Sequence, residues 1–316
     1  MARILANDGI DPIGKKLLED AGFTVDTQTV PQDQLVAALQ NYDGLTVRSA
    51  TKVRKELIDA CPNLKLIGRG GVGMDNIDVE YARSKGITVV NTPAASSLSV
   101  AELVFSHLFT GVRFLQDANR KMPVEGNTKF NDLKKAYAKG VELRGKTIGI
   151  IGFGRIGRET AAVALGLGMN VLAYDLFPFS GNISLNLTLG IKVDIPVTTV
   201  SLEEVIANSD FISLHTPFAD KPILGAAEFA AMKNGVGVVN CSRGGTIDEA
   251  ALIEALNSGK VSFAGLDVFD NEPTPSTEIL SHPKISLTPH IGASTNEAQE
   301  RIGTELANLI IDHFKG

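Results

Sequence analysis

Two doubly wound α/β domains are what this amino-acid sequence predicts, and three observations carry that expectation. Short β-branched runs alternate with helical patterns along the whole chain, the pattern of parallel sheets covered by helices on both faces. The series of strands occurs twice, with a long helical stretch between the two occurrences. A length of 316 residues also exceeds what one hydrophobic core usually organises.

The first series reads as strands near Arg3–Asn7, Thr24–Thr27, Gly44–Arg48, Leu64–Gly68 and Thr88–Asn91. A helix over Ile13–Asp20 is stopped by Gly22, which can take the left-handed conformation that closes a helix. Next, Ser99–Asn119 places Val100, Leu103, Val104, Leu108 and Val112 at helical spacing and reads as one long buried connecting helix. An ordinary core helix and a bridge that also packs on a second subunit both satisfy that pattern. The second series runs Lys146–Gly152, Asn170–Asp175, Phe211–His215, Gly237–Asn240, Ser262–Val268 and Ile285–Thr288. A last helix, Asn296–Phe314, repeats Ala298, Ile302, Leu306, Leu309 and Ile310 on one face, and no regulatory domain is expected after it.

Composition narrows the function classes. The apolar share of 44 % and charged share of 21 % are those of an ordinary globular protein. A net charge of -6 with scattered Lys and Arg argues against a nucleic acid or an anionic membrane as the main partner. Cys61 and Cys241 lie far apart without metal-ligand spacing, so neither a disulfide framework nor a metal site is expected, and a reducing cytoplasm is the expected compartment. The N-terminus turns polar too early for a secretory signal, and no apolar run approaches 18 residues. The glycosylation patterns beginning at Asn182 and Asn186 are therefore expected to stay unused.

The chemistry begins at Lys146–Arg158, where Gly152, Gly154 and Gly157 stand in GxGxxG spacing after a strand and at the start of a helix, Arg155–Leu167. Gly152 permits the turn, Gly154 removes the side chain that would block a pyrophosphate, and Gly157 lets helix and strand pack closely. Asp175 closes the next strand, with 17 residues between it and Gly157. A carboxylate there accepts from both ribose hydroxyls and repels a 2′-phosphate. Residues 176–181 carry no Arg or Lys to welcome one, so NAD is expected over NADP.

Three further residues follow successive strands. Arg243, in Asn240-Cys-Ser-Arg-Gly-Gly245, presents a planar fork suited to the carboxylate and carbonyl of a 2-keto acid. Asp267 and Glu272 follow in Gly265–Pro273, and His290 in Thr288–Ala293. A histidine can accept the hydroxyl proton as hydride leaves and return it in the reverse direction, with Glu272 orienting the ring. His107, His282 and His313 lack this setting, while His215 sits at a strand end beside Thr216-Pro217.

In this order, GFGRIG, Asp175, His215-Thr-Pro, Asn240-Cys-Ser-Arg-Gly-Gly, Gly265-Leu-Asp-Val-Phe-Asp-Asn-Glu-Pro and Thr288-Pro-His-Ile-Gly-Ala, the chain resembles the D-isomer-specific 2-hydroxyacid dehydrogenases over essentially its whole length. Thr46–Thr51 and Ile67–Asn76 are most similar to the D-3-phosphoglycerate dehydrogenase branch.

The resemblance implies a Rossmann NAD-binding domain over 98–289 and a flavodoxin-like substrate domain over 1–97 plus 290–316, with the chemistry in the cleft between them. It implies Arg243, Glu272 and His290 as the catalytic trio. It also implies NAD contacts from Val72, Gly152, Gly154, Arg155, Ile156, Gly157, Asp175, Thr216, Pro217, Cys241, Ser242, Asp267, Gly292 and Ala293, with Asp267 on the carboxamide.

Arg48, Ser49, Arg69 and Gly71 join Arg243 and His290 as substrate-binding residues, because a phosphate needs at least one charged fork. The expected partner is a small, phosphorylated 2-hydroxy or 2-keto acid, and the expected assembly a homodimer. Lys134, Lys135 and Lys139 match the family's pattern loosely. The trio reads only a shared carboxylate and carbonyl, so glyoxylate, hydroxypyruvate and D-lactate stay open as substrates, as does an NADH-sensing protein without turnover.

Overall fold

The computed structural model describes residues 2–218 and 220–316. The chain divides into two compact units, Met1–Ser99 with Ala293–Gly316, and Val100–Gly292.

In the first unit, β1 (Arg3–Ala6), β2 (Thr24–Asp26), β3 (Gly44–Val47), β4 (Leu66–Arg69) and β5 (Thr88–Asn91) form one parallel sheet in the order β2-β1-β3-β4-β5. That order is the flavodoxin-like doubly wound arrangement. Neighbouring residues on a strand point to opposite faces, so two apolar layers form. Leu5, Leu45 and Ile67 pack with Leu35, Leu39 and Leu57 of α2 (Leu35–Leu39) and α3 (Lys55–Ala60). Ile4, Val25 and Leu66 pack with Leu18 of α1 (Pro12–Asp20) and with Leu306 and Ile310 of the final helix α12 (Asn296–Lys315). α1 starts where Asp11 accepts the Ile13 N–H and Pro12 sets the first turn. α4 (Val79–Ser84) precedes β5.

In the second unit, β6 (Thr147–Ile151), β7 (Asn170–Tyr174), β10 (Phe211–Leu214), β11 (Val236–Asn240), β12 (Val261–Leu266) and β13 (Ile285–Leu287) form a parallel sheet in the order β13-β12-β11-β10-β6-β7. The register aligns Leu287 with Leu266, Leu266 with Asn240, Asn240 with Leu214, Leu214 with Ile151, and Ile151 with Tyr174. All six strands therefore end in one line, and the residues after each share one edge. The order reverses beside β6, the switch point where such sheets bind ligands. α7 (Arg155–Gly166), α8 (Leu202–Asn208), α9 (Ala226–Ala231), α10 (Glu249–Ser258) and α11 (Thr277–Ser281) join the strands.

Two elements differ from expectation. The connecting helix is two helices, α5 (Ser97–Val112) and α6 (Leu115–Ala136), broken at Phe114, whose φ is +57°. The Val112 carbonyl accepts from the Val141 N–H, and Phe114 stacks on Tyr137 at 5.8 Å, so the helix is diverted by the segment that returns to it. The second is an antiparallel hairpin, β8 (Ser180–Asn186) with β9 (Lys192–Thr198), in a stretch between Asp175 and Phe211 where no strand was expected. Its inner residue Ile183 is buried, and Phe179 before it packs edge-on against Phe153 at 5.2 Å. Asn182 and Asn186 lie on β8.

The second unit also extends three residues beyond the expected 289. His290, Ile291 and Gly292 belong to it because the buried Asp267 carboxylate accepts from both the Ile291 and Gly292 N–H groups. Among the described residues no single helix is long and apolar enough to cross a membrane, and no group of His, Cys, Asp or Glu is placed to hold a metal.

Candidate active site

The glycine turn follows β6. Gly152 has φ +93°, and a side chain there would lie 2.7 Å from the His215 backbone, so only glycine fits. A Cβ at Gly157 would lie 2.2 Å from the Gly152 carbonyl oxygen, which holds the helix α7 tight against the turn. Gly154 is different: a Cβ there meets nothing, leaving open space at the N-terminus of α7 where Arg155 and Ile156 begin the helix. Unpaired first-turn N–H groups and the helix dipole favour an anion in such a space. The fit to a dinucleotide extends further. Asp175 accepts from the Phe153 N–H at 2.6 Å and the Phe177 N–H at 2.9 Å, so the backbone pins the carboxylate while each oxygen keeps a lone pair for a ribose hydroxyl. Beside Gly152, His215 Nδ1 and Thr216 Oγ1 are buried with no partner among the described residues, and Pro217 follows at the surface.

After β11, the buried Asn240 organises the next loop. Its amide donates to the Arg243 carbonyl and to Thr246 Oγ1, both at 3.0 Å, and its Oδ1 accepts from the Ser242 N–H and hydroxyl. Arg243 is thereby fixed at its backbone, and its guanidinium donates to the Ser242 carbonyl at 2.7 Å. Sequence reasoning quoted Asn240 only as part of a motif. Burial pushes the Cys241 thiol well above its ordinary value, aided by the charge of Asp267, so this cysteine contributes shape rather than nucleophilicity.

His290 and Glu272 meet, with His290 Nδ1 2.8 Å from Glu272 Oε2. A carboxylate can only accept, so Nδ1 carries the hydrogen and the neutral ring keeps its lone pair on Nε2. Glu272 Oε1 accepts in turn from the Phe269 N–H at 3.0 Å. Burial alone would push the Glu272 carboxyl up. The hydrogen bond and charge of His290, the Phe269 N–H and the Arg243 guanidinium outweigh it and hold the carboxyl below its ordinary value. The charge of Arg243 thus reaches the pair, and the second unit brings together the three residues expected to act as a trio.

Asp267 is buried. Its Oδ1 accepts from the Thr288 hydroxyl at 2.6 Å and the Ile291 N–H at 2.8 Å, and its Oδ2 from the Gly292 N–H at 2.8 Å.

An open glycine turn, a carboxylate pinned beside it and an Arg–Glu–His trio thus share one sheet edge. Residues 105–292 match the family model of the D-isomer specific 2-hydroxyacid dehydrogenase NAD binding domain. The chain belongs to the D-isomer-specific 2-hydroxyacid dehydrogenase family. Its cofactor is NAD. A D-3-phosphoglycerate dehydrogenase of Rattus norvegicus is 41 % identical over 319 aligned residues, covering all of this chain and 57 % of that protein, so the chain spans little more than half its length. A hydroxypyruvate reductase of Thermotoga maritima is 44 % identical over 98 % of this chain and 97 % of its own. The crystal structure of the Aquifex aeolicus D-lactate dehydrogenase, complexed with NAD and lactic acid, superposes with a TM-score of 0.77 at 29 % identity, covering 99 % of this chain and 96 % of that one.

The first unit and the segment 134–139 hold the other residues singled out in the sequence. Val72 and Ala293 belong to the first unit, where their carbonyls accept from Asn91 and Gln299. Arg48, Ser49, Arg69 and Gly71 follow or end β3 and β4. The Asp8 carboxylate fixes the loop after β3 by accepting from the Arg48 and Thr51 N–H groups, and Arg48 lines a cavity of about 360 Å³ with Asp8, Asp11, Asn296 and Gln299. The Arg69 guanidinium occupies the space a Gly71 side chain would fill. Lys134 and Lys135 end α6, and Lys139 lines a cavity with Lys146, Asp210 and Val236 at the amino ends of β6, β10 and β11. That is the opposite sheet edge from His290, which removes Lys139 from the candidate site.

Proposed function

We propose that this dehydrogenase interconverts 3-phospho-D-glycerate and 3-phosphohydroxypyruvate, and that it works as a homodimer. The observation that carries the chemistry is the His290–Glu272 pair, which leaves Nε2 as the proton acceptor. In the oxidative direction Nε2 takes the proton of the C2 hydroxyl as C2 gives up a hydride. Arg243 binds the carboxylate, and Glu272 orients the ring and stabilises its charged form. NAD supplies the hydride acceptor.

The phosphate is supported by Arg48 and Arg69, guanidinium groups that the first unit supplies at the ends of two adjacent strands, and by the likeness to phosphoglycerate dehydrogenases. Hydroxypyruvate is the second reading, favoured by the Thermotoga maritima relative, which matches this chain nearly end to end. The deciding measurement is kcat/KM for 3-phosphohydroxypyruvate and for hydroxypyruvate with NADH. A higher value for the phosphorylated acid is expected. In that case Arg48→Ala or Arg69→Ala raises its KM by about tenfold to a hundredfold, roughly 1.4–2.8 kcal/mol, and hardly changes hydroxypyruvate. An equal or higher value for hydroxypyruvate or glyoxylate overturns the phosphoglycerate assignment, and NADH binding without reduction of any 2-keto acid makes the chain a sensor.

The dimer is supported by the exposed apolar side chains of α6, Leu115, Met122, Val124 and Phe130. Sedimentation should give twice the 33.5 kDa chain mass, and Val124→Asp with Phe130→Asp should give the monomer.

A further inference from the structure

The left-handed backbone of His290, φ +55°, is a conformation that disfavours a non-glycine residue and persists only where its surroundings hold it. On the chain-forward side the holder is Asp267, through the N–H groups of Ile291 and Gly292. Asp267 is itself held by the Thr288 hydroxyl at 2.6 Å. That hydroxyl has one hydrogen, and the carboxylate takes it. Thr288 Oγ1 also lies 3.0 Å from His107 Nε2 on α5, so this second contact must be donated by the histidine. His107 is therefore the Nε2–H tautomer, and its Nδ1, 2.9 Å from Ser286 Oγ, accepts from that serine. Burial favours the neutral ring that this arrangement requires, against the opposing charge of Asp267. A Cβ at Gly265 would lie 2.5 Å from the His107 Cβ, so the helix carries the ring flush against β12. The donors form one directed chain, Ser286 to His107 to Thr288 to Asp267, and it ends on the carboxylate that fixes the His290 turn.

We propose that His107 is a positioning residue for His290, acting through Thr288 and Asp267. The inference rests on the reading of His290 as the proton acceptor. Without the His107 donor, the Thr288 hydroxyl loses the contact that fixes its direction, Asp267 gains freedom, and the turn carrying His290 relaxes toward ordinary backbone geometry. Substrate affinity, set by Arg243, is left in place.

The test compares the wild type with His107→Leu, His107→Gln, Thr288→Val and the double variant His107→Leu/Thr288→Val. His107→Leu should lower kcat about tenfold or more with KM for the keto acid changed less than about twofold. His107→Gln, whose amide can donate to Thr288, should recover to within about threefold of wild type. The double variant should be no slower than the worse single one, because both substitutions cut the same chain. In the cofactor-free protein, amide hydrogen exchange at Ile291 and Gly292 should speed up about tenfold in His107→Leu and not in His107→Gln. Wild-type exchange and kcat in His107→Leu, a glutamine variant as slow as the leucine one, or additive losses in the double variant would each overturn the proposal. A wild type that reduces no 2-keto acid overturns the dehydrogenase reading instead, and the exchange rates then decide the His107 link by themselves.

Discussion

Two turns on the same edge of the second sheet solve opposite problems. The turn after β6 must expose backbone N–H groups, and it does so by having no side chains: Gly152 reaches φ +93°, Gly157 lets α7 approach, and Gly154 leaves space. The turn after β13 must present a side chain, His290, from a backbone that also lies at positive φ, and there the geometry is imposed from outside by Asp267, Thr288, His107 and Glu272. A turn made by omission is specified within six consecutive residues. A turn made by scaffolding is specified by residues as far as 181 positions away.

The largest effect that tests this contrast is the loss of the presented side chain. His290→Ala should lower turnover by about 10²- to 10⁴-fold, the usual scale for a general acid or base, while the dissociation constant for NADH, read by fluorescence titration, changes little. Near-normal turnover would mean that another group moves the proton and that the scaffolding serves something else.

The glycine turn should respond in two separable ways. Gly157→Ala drives a methyl group onto the Gly152 carbonyl and should cost about 2–3 kcal/mol of stability in urea unfolding, within the range for overpacking. Gly154→Ala meets nothing in the protein and should leave stability within about 0.5 kcal/mol while weakening NADH binding about tenfold. If both variants lose stability equally, the open space at Gly154 is structural and not a ligand cradle.

Behind the glycine turn lies His215, with Nδ1 buried and Nε2 engaged by Ser213 Oγ at 2.9 Å. Burial lowers its pKa from 6.5 to about 3. The unfolded ring takes up a proton near 6.5 and the folded one only near 3, so the native state binds fewer protons between those values and stability falls as pH drops through that window. Above it the ring is neutral in both states and adds no pH dependence. From pH 7 to 5 the wild type should lose about 1–2 kcal/mol more stability than His215→Gln. Parallel pH curves for the two proteins would show that the ring is not held neutral.

This contrast also explains what could be read from the sequence. Strand ends, the GxGxxG turn, Asp175 and the order Arg243, Glu272, His290 were legible because each is a local pattern on a regular α/β alternation. The break at Phe114 was not, because the Val141 N–H that takes the Val112 carbonyl arrives from 29 residues downstream. The β8–β9 hairpin was missed although its signal was present: Ile183 and Leu185 on β8, and Val193, Ile195 and Val197 on β9, alternate with other residues at the period of a strand. His107 was set aside for lacking a strand end. The signal was present nevertheless: it falls three residues after Val104 in the buried stripe of α5, and a polar side chain there must find partners.

The smallest expected effect separates the two services Glu272 renders to His290. Its carboxylate has two accepting oxygens and two donors facing them, His290 Nδ1–H and the Phe269 N–H. Glu272→Gln keeps one accepting oxygen, so one donor must face an amide NH₂, and the negative charge that favours the protonated imidazole is gone. Orientation is half preserved and charge stabilisation is lost. The side chains of His290 and Glu272 are 40 % and 35 % exposed, so water screens much of that charge. Turnover should therefore fall by about tenfold or less, with the dissociation constant for NADH unchanged. A loss as large as that of His290→Ala would show that the ring depends wholly on the carboxylate, and an unchanged rate would show that the 2.8 Å contact plays no part in turnover.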